Sequence, residues 1–157
     1  MPRIIKTISL YNPHALLIGL GLKLNETRSW PTKYRGLLAI HASKTMTPFL
    51  NRLCFEEPFK KPLVDAGYIK GKEWIKPLPS SAVIAVCNLV NCQEITKLYR
   101  LYSLPEEPEL SFGDYSVGRY VWKLENPILL PEPVPAKGQL SIWKWQVPDG
   151  IRIPEVV

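Results

Sequence analysis

The chain has 157 residues, of which 46% are hydrophobic and 22% are charged, a composition typical of one globular domain with its own core. Its three cysteines are too few and too unevenly spaced for a disulfide framework or a zinc site. No apolar run approaches the roughly twenty residues of a membrane-spanning helix, and the formal net charge of +6 is one that ordinary solubility could explain.

The charge is nevertheless distributed unevenly along the chain. Residues 1–76 carry 13 Lys and Arg against 5 Asp and Glu, or +8, whereas residues 77–157 carry 7 against 9, or −2. Because phosphates attract clusters of Lys and Arg over long distances, the basic half indicates a polyanionic partner. Cysteine usage predicts a reducing, cytoplasmic location, and we expect no secretory signal, no membrane segment, no metal and no cofactor.

The first third of the chain predicts strand, helix, strand and helix. Arg3–Leu10 is rich in isoleucine and alternates, as in a strand. Asn12-Pro13 would begin a helix, with Asn12 as its N-cap, and the helix would end at Gly19 or Gly21. Gly36–Ala42 predicts a buried strand, and Thr47–Cys54 predicts a helix.

The middle third contains the clearest strand. Residues 55–79 mix lysines, glutamates and prolines and indicate an irregular excursion, with a helical turn at Pro62–Ala66. Ser81–Cys92 is almost entirely apolar and β-branched, as in a central strand buried on both faces. A helix over Glu94–Ser103 and a solvated loop over Leu104–Ser111, with its three glutamates, would follow.

The last third predicts a glycine-bounded turn, a strand and a closing turn. Phe112–Gly118 is the turn, Arg119–Leu124 alternates as a strand, and Pro127–Pro135 indicates an edge strand or polyproline segment. The tryptophans of Ser141–Trp145 would fill the core. Five or six strands with two to four helices, and no βαβ rhythm, predict a mixed α+β domain around a small barrel.

One short segment concentrates opposite charges. Within Gly21–Trp30 stand Lys23, Glu26 and Arg28, and in an extended segment the side chains of Glu26 and Arg28 would point to the same side. Burying such charges costs solvation free energy, so a cluster of this kind in a cleft indicates a use. The alternative is a solvated surface turn.

These residues carry a family resemblance. Gly21-x-Lys23-x-x-Glu26-x-Arg28 matches the G-x-K-x-x-E-x-R signature of the ASCH domain, the activating-signal-cointegrator homology family. The resemblance implies a single domain over residues 1–157 with a PUA-like fold, a small β-barrel with helices packed at its openings, and a family-divergent insertion at about 46–79. The match continues through Ser29-Trp30, Tyr34-Arg35-Gly36, Ile40–Lys44, Val83–Cys92 and Gly118–Trp122.

The resemblance implies a function that involves RNA. In the family the signature lines a cleft proposed to take RNA or a nucleotide-like ligand. Some small bacterial members are amidohydrolases of acetylated cytidine, another is a ribonuclease, and larger eukaryotic members carry the domain in a transcription coactivator. The amidohydrolases have a nucleophilic threonine three residues after the lysine, where this chain has Glu26, so a hydroxyl nucleophile is not expected here.

Each charged residue of the signature has a functional and a structural interpretation. Lys23 could hold a phosphate or, with Glu26, act as a catalytic base if the chain is an enzyme. Arg28 offers a rigid fork for a phosphate or a surface for stacking on a base. The structural alternative is that Lys23, Glu26 and Arg28 pair only with one another.

Further binding candidates flank the signature. Aromatic and basic residues interleave at Arg28–Arg35, as expected where bases stack and phosphates are neutralised, although Trp30 could equally pack in the core. We expect His14 to be a surface residue, and Asp114 could cap its turn instead of reaching the cleft. A protein-interaction module, using residues 127–135 and 46–79, is a third possibility. The flanking candidates are Ser29, Trp30, Lys33, Tyr34, Arg35, His41, Ser43, Lys44, Asp114, Tyr115 and Arg119.

Overall fold

The computed structural model describes residues 2–157, which form eight strands and four helices. In chain order these are β1 (Ile4–Leu10), α1 (His14–Gly19), β2 (Asn25–Arg28), β3 (Gly36–Ala42), α2 (Pro48–Cys54), α3 (Lys60–Asp65), β4 (Ile69–Lys70), β5 (Glu73–Trp74), β6 (Ala82–Glu94), α4 (Lys97–Tyr102), β7 (Tyr120–Pro135) and β8 (Ile142–Gln146).

Six of the strands form one mixed sheet in the order β2-β7-β6-β3-β1-β8. β1 and β3 are parallel, and the other neighbours are antiparallel. The prediction of a mixed α+β domain is therefore confirmed. No pairing within residues 2–157 joins β2 to β8, the two edges of this sheet. The sheet is thus open in its hydrogen bonding, and the predicted closed barrel is not confirmed.

The sheet is buried on both faces because its central strands are apolar throughout. Leu38 and Ile40 of β3 and Ile84 of β6 pack in one core cluster, which also holds the buried face of α1. Ala39 and Val83, the alternate positions, pack in a second cluster with the tryptophans of β8. β6 occupies the centre of the sheet, as predicted from its nearly continuous apolar run.

The start of α1 differs from the prediction, whereas its end agrees. Asn12 does not cap the helix: its side-chain Nδ2 donates to the Pro79 carbonyl at 2.8 Å, and Pro13 occupies the cap position. The helix ends at Gly19, and Gly21 follows with φ of +77°, a left-handed conformation that glycine adopts without steric cost.

The second half of the chain contains longer strands than predicted. β6 continues to Glu94, so α4 is shorter than expected. β7 joins two predicted segments into one strand, and β2 pairs only with its first four residues, Tyr120–Lys123. The prolines of Pro127–Pro135 therefore have an unpaired side, as an edge strand allows. Ser141–Trp145 is mostly strand, not a turn, although Trp143 and Trp145 are buried as predicted.

The insertion at residues 46–79 is more regular than the sequence indicated. The Thr47 hydroxyl caps α2 by accepting from the Leu50 amide at 3.1 Å. After α3 the chain forms the short β4–β5 hairpin. Cys54, Leu63 and Ile69 anchor the insertion in the core cluster that contains α1. None of the helices within residues 2–157 has the length and apolar character needed to cross a membrane.

The burial of α1 predicts a large stability difference between two Leu→Ala variants. Leu16 lies in α1 with none of its surface exposed, whereas Leu101 in α4 is 70% exposed. Removing a buried leucine side chain leaves a cavity, so Leu16→Ala is expected to cost about 2–5 kcal/mol of unfolding free energy in urea titrations. Leu101→Ala, the matched control, is expected to cost less than about 0.5 kcal/mol. Equal losses would contradict this packing.

Candidate functional site

The signature segment, Gly21–Arg28, runs directly from the end of α1 to the edge of the sheet. The amides of Leu22 and Lys23 both donate to the Leu17 carbonyl, at 2.9 and 3.1 Å, and so turn the chain out of the helix. The segment then enters β2, where Glu26 pairs with Trp122 of β7 and Arg28 pairs with Tyr120. β2 is an edge strand, and of its two charged residues Glu26 is buried whereas Arg28 is partly exposed.

One carboxylate joins the two cations of the signature. Glu26 Oε1 lies 3.7 Å from Lys23 Nζ, and Glu26 Oε2 accepts a hydrogen bond from Arg28 Nη1 at 3.2 Å. Glu26 and Arg28 therefore point to the same side, as their spacing predicts. The Lys23 side chain is fully buried and also donates to the Asn25 carbonyl, whereas 26% of the Arg28 side chain is exposed. Only Arg28 can present its charge outward.

The loop before β7, although distant in the chain, forms hydrogen bonds with the signature segment. Glu109 accepts from the amides of Leu24 and Asn25, at 2.5 and 3.3 Å. The Asn25 side chain donates to the Tyr115 hydroxyl at 3.1 Å. The prediction that the three glutamates of this loop are simply solvated is therefore wrong for Glu109, which satisfies backbone donors near the start of β2.

The three candidates of the 112–119 turn hold β2 in place. Asp114 caps its own turn, and its hydrogen bonds from Ser116 lower the pKa of that carboxyl. Arg119 Nη2 donates to the Thr27 carbonyl at 3.1 Å, and the buried Tyr115, whose pKa is raised by desolvation, bonds the Asn25 side chain. Tyr115 and Arg119 thus bond to Asn25 and Thr27 of β2.

Of the interleaved residues, Arg28 and Trp30 come together. The Arg28 guanidinium lies 5.5 Å from the Trp30 ring centroid, and that ring packs edge-on against Trp122 at 4.8 Å. Tyr34 donates its hydroxyl to the Leu37 carbonyl, and desolvation raises its pKa. Exposed Arg35 donates to two backbone carbonyls of its own turn. Ser29 and Lys33 are exposed at the surface.

A cleft of about 830 Å³ opens beside Arg28. It brings Arg28 together with His41, Ser43 and Lys44 from the end of β3, and with the loop 137–141 that precedes β8. We call it the basic cleft, because its lining includes the cations Arg28, Lys44 and Lys137 and no carboxylate. Residues bordering both edge strands thus line one cavity.

Residues 2–157 hold no cluster of three His, Cys, Asp or Glu side chains suited to a metal ion.

His41 lies in the wall of the basic cleft and is only 2% exposed. Its Nε2 lies 2.7 Å from the Ala136 carbonyl, so Nε2 is the donor nitrogen and Nδ1 is the acceptor of the tautomer that this bond selects. Nδ1 is buried and has no hydrogen-bond partner within residues 2–157. Gly138 packs against the ring so closely that an added Cβ would lie 2.8 Å from His41 Cε1.

His14 lies close to the charges of the signature segment, which the sequence did not reveal. Instead of lying free on the surface, its ring packs edge-on against Phe59, with centroids 5.6 Å apart. Burial, reinforced by the nearby Lys23 charge, lowers its pKa to about 4. The available signal was its position three residues before Leu17, because residues three apart share a helix face and Leu17 packs in the same cluster as Phe59.

Comparison with known proteins supports the fold. No family model and no curated protein matches the chain. Among solved structures, ASCH from Zymomonas mobilis is 14% identical and aligns with a TM-score of 0.50 over 92% of this chain and 87% of its own. Tyr-to-Phe and Ser-to-Ala variants of that protein are each 15% identical, with TM-scores of 0.49. They cover 94% and 92% of this chain and 92% and 88% of their own. The predicted resemblance is confirmed at the level of an ASCH-like fold.

The depressed pKa of His14 predicts a loss of stability in mild acid. Between pH 6.5 and about 4 the unfolded imidazole binds a proton that the folded one does not, so stability falls as the pH falls through this window. His14→Gln removes the titrating group. Urea unfolding at pH 7.5 and 4.5 is expected to show wild type losing up to roughly 3 kcal/mol more than His14→Gln. Equal losses would contradict the burial of a neutral His14.

Proposed function

With the ASCH-like fold as the premise, we propose that the chain binds single-stranded RNA, or a nucleotide-like ligand, in the basic cleft. The observation that carries this proposal is the convergence of Arg28, Lys44 and Lys137 on one cavity without a carboxylate in its lining. A cavity of this sign concentrates phosphate groups, and its volume of about 830 Å³ is within the range of small-molecule sites.

Arg28 is the residue best placed to orient a phosphate. Glu26 holds one of its terminal nitrogens at 3.2 Å, and the ring of Trp30 lies 5.5 Å from its centre. The side chain is therefore restrained before any ligand arrives, and its remaining N–H groups can donate to phosphate oxygens. Lys44 and Lys137, both exposed, add two further positive charges at the same cavity.

His41 supports recognition of a base in the basic cleft. A buried acceptor without a donor is costly, so a ligand that supplies an N–H group to Nδ1 gains more than one that does not. The amino and imino groups of nucleobases are donors of this kind. Trp143, edge-on to His41 at 5.7 Å, holds the imidazole in place.

We assign Lys23 and Glu26 to positioning and not to direct contact with the ligand. Neither lines the basic cleft, and the Lys23 side chain has no exposed surface. Their role in this proposal is to neutralise each other and to hold Arg28 at the cleft margin. The same geometry supports binding over hydrolysis, because both Glu26 oxygens face cations and the Thr27 hydroxyl accepts from the Asp114 amide at 3.0 Å.

The proposal predicts salt-sensitive RNA binding that depends on Arg28. Three cations would give a slope of log affinity against log salt of roughly −2, about −0.7 each for a single strand. In fluorescence anisotropy with a labelled single-stranded RNA, Arg28→Ala is expected to lower affinity about tenfold and to reduce the slope by about one cation.

Lys97→Ala is the control for loss of one positive charge, because Lys97 is exposed on α4 and does not line the basic cleft. It is expected to leave both affinity and slope close to those of wild type. Binding that is absent, independent of salt or equally weakened by Lys97→Ala would overturn the proposed function.

A further inference from the structure

A second hollow of about 450 Å³ adjoins the basic cleft. It lies between residues 43–46 and residues 74–78 of the insertion, and we call it the insertion hollow. Ser43, Lys44 and Thr45 line both cavities. A ligand in the basic cleft therefore lies next to the insertion hollow, with Lys44 in the lining of both cavities.

The insertion hollow has a buried acceptor of its own, supplied by Asn12. Asn12 is 2% exposed and lines the hollow, and its Nδ2 donates to the Pro79 carbonyl at 2.8 Å. Because that partner is a carbonyl, the nitrogen must face it, and the amide orientation is fixed. Asn12 Oδ1 is then an acceptor with no partner within residues 2–157.

Among the described residues, buried side-chain acceptors without a partner occur only on residues that line these two cavities. The buried side-chain nitrogen and oxygen atoms without a partner in residues 2–157 are Asn12 Oδ1 and His41 Nδ1. Asn12 is among the residues that line the insertion hollow, and His41 is among those that line the basic cleft. Buried polar atoms are normally paired, so an acceptor of this kind in each of two adjoining cavities indicates a ligand with two donors.

The walls of the insertion hollow suit a flat ring next to a phosphate. Trp74 is fixed by donating Nε1 to Asn51 Oδ1 at 2.9 Å and by packing edge-on against Phe55 at 5.4 Å. Ile75 is 58% exposed beside it. Lys44 and Lys76 are the cations among the lining residues, which include no carboxylate. Apolar walls with cations and no acid favour a nucleobase and its phosphate over an acidic peptide.

Resting on the proposed function, we propose that the insertion hollow is a second nucleotide subsite. It takes the neighbouring base of the same single-stranded RNA, the phosphate between the two bases lies at Lys44, and the second base donates an N–H group to Asn12 Oδ1. The minimal full ligand is therefore a dinucleotide whose bases carry N–H donors.

The first test compares adenosine 5′-monophosphate with the 5′-phosphorylated adenine dinucleotide by isothermal titration calorimetry. Wild type is expected to bind the dinucleotide roughly tenfold or more tightly than the mononucleotide, because a second stacked base is added. Ile75→Glu places a carboxylate in the insertion hollow, at an exposed position that the fold does not need. It is expected to remove the gain from the second nucleotide and to leave mononucleotide affinity unchanged.

Leu101→Glu is the matched control, because it introduces the same charge at an exposed leucine that lines neither cavity. It is expected to keep the full dinucleotide gain. A dinucleotide of purine riboside, which keeps the rings and phosphates but lacks the amino donors, is expected to bind wild type about tenfold more weakly than the adenine dinucleotide.

The outcomes separate the two proposals. Equal affinity of wild type for mononucleotide and dinucleotide, or an unchanged gain in Ile75→Glu, would overturn the second subsite and leave the proposed function standing. A gain lost equally in Leu101→Glu would also overturn it, since the effect would then be one of net charge. If wild type binds neither the mononucleotide nor the dinucleotide, both proposals are overturned.

Discussion

The arrangement of the site depends on the carboxylate of Glu26 between two cations. Lys23 is completely removed from water, and an ammonium in that position requires a counter-charge and hydrogen-bond acceptors. Glu26 supplies the charge at 3.7 Å, and the Asn25 carbonyl supplies an acceptor. The second oxygen of Glu26 then holds Arg28, whose side chain is the most exposed of the three and lines the basic cleft. The buried pair thus fixes the orientation of a surface guanidinium.

The fold places Arg28 of this cluster in the lining of the basic cleft. β2 and β8 are the two edges of the sheet, yet Arg28 of β2 and the loop leading into β8 line the same cavity as the end of β3. Arg28 and the loop before β8 therefore line the same cleft, although β2 and β8 form no strand pairing with each other. The insertion extends that cavity, because its residues 74–78 stand opposite the segment that leaves β3.

The features predicted correctly from the sequence are those set by local pattern. Alternation and apolar runs located the central strands, the glycines located the end of α1, and the two-residue spacing placed Glu26 and Arg28 on one side. The features that were missed depend on contacts between distant parts of the chain. Glu109 accepts from the amide of Leu24, 85 residues away in the chain. Lys137 and Arg28 line the same cavity only because the fold brings their distant segments together. The periodicity of the sequence does not predict such contacts. Nor does it predict whether the two edge strands of the sheet pair with each other.

The most direct test of the Glu26 interaction is a double-mutant cycle with Lys23, measured by urea unfolding of Glu26→Gln, Lys23→Met and the double variant. Glu26→Gln leaves a buried ammonium without its counter-charge and is predicted to cost roughly 3 kcal/mol. Adding Lys23→Met removes the stranded charge and is predicted to recover most of that loss. A Glu26→Gln protein within about 0.5 kcal/mol of wild type, or strictly additive effects, would contradict the account.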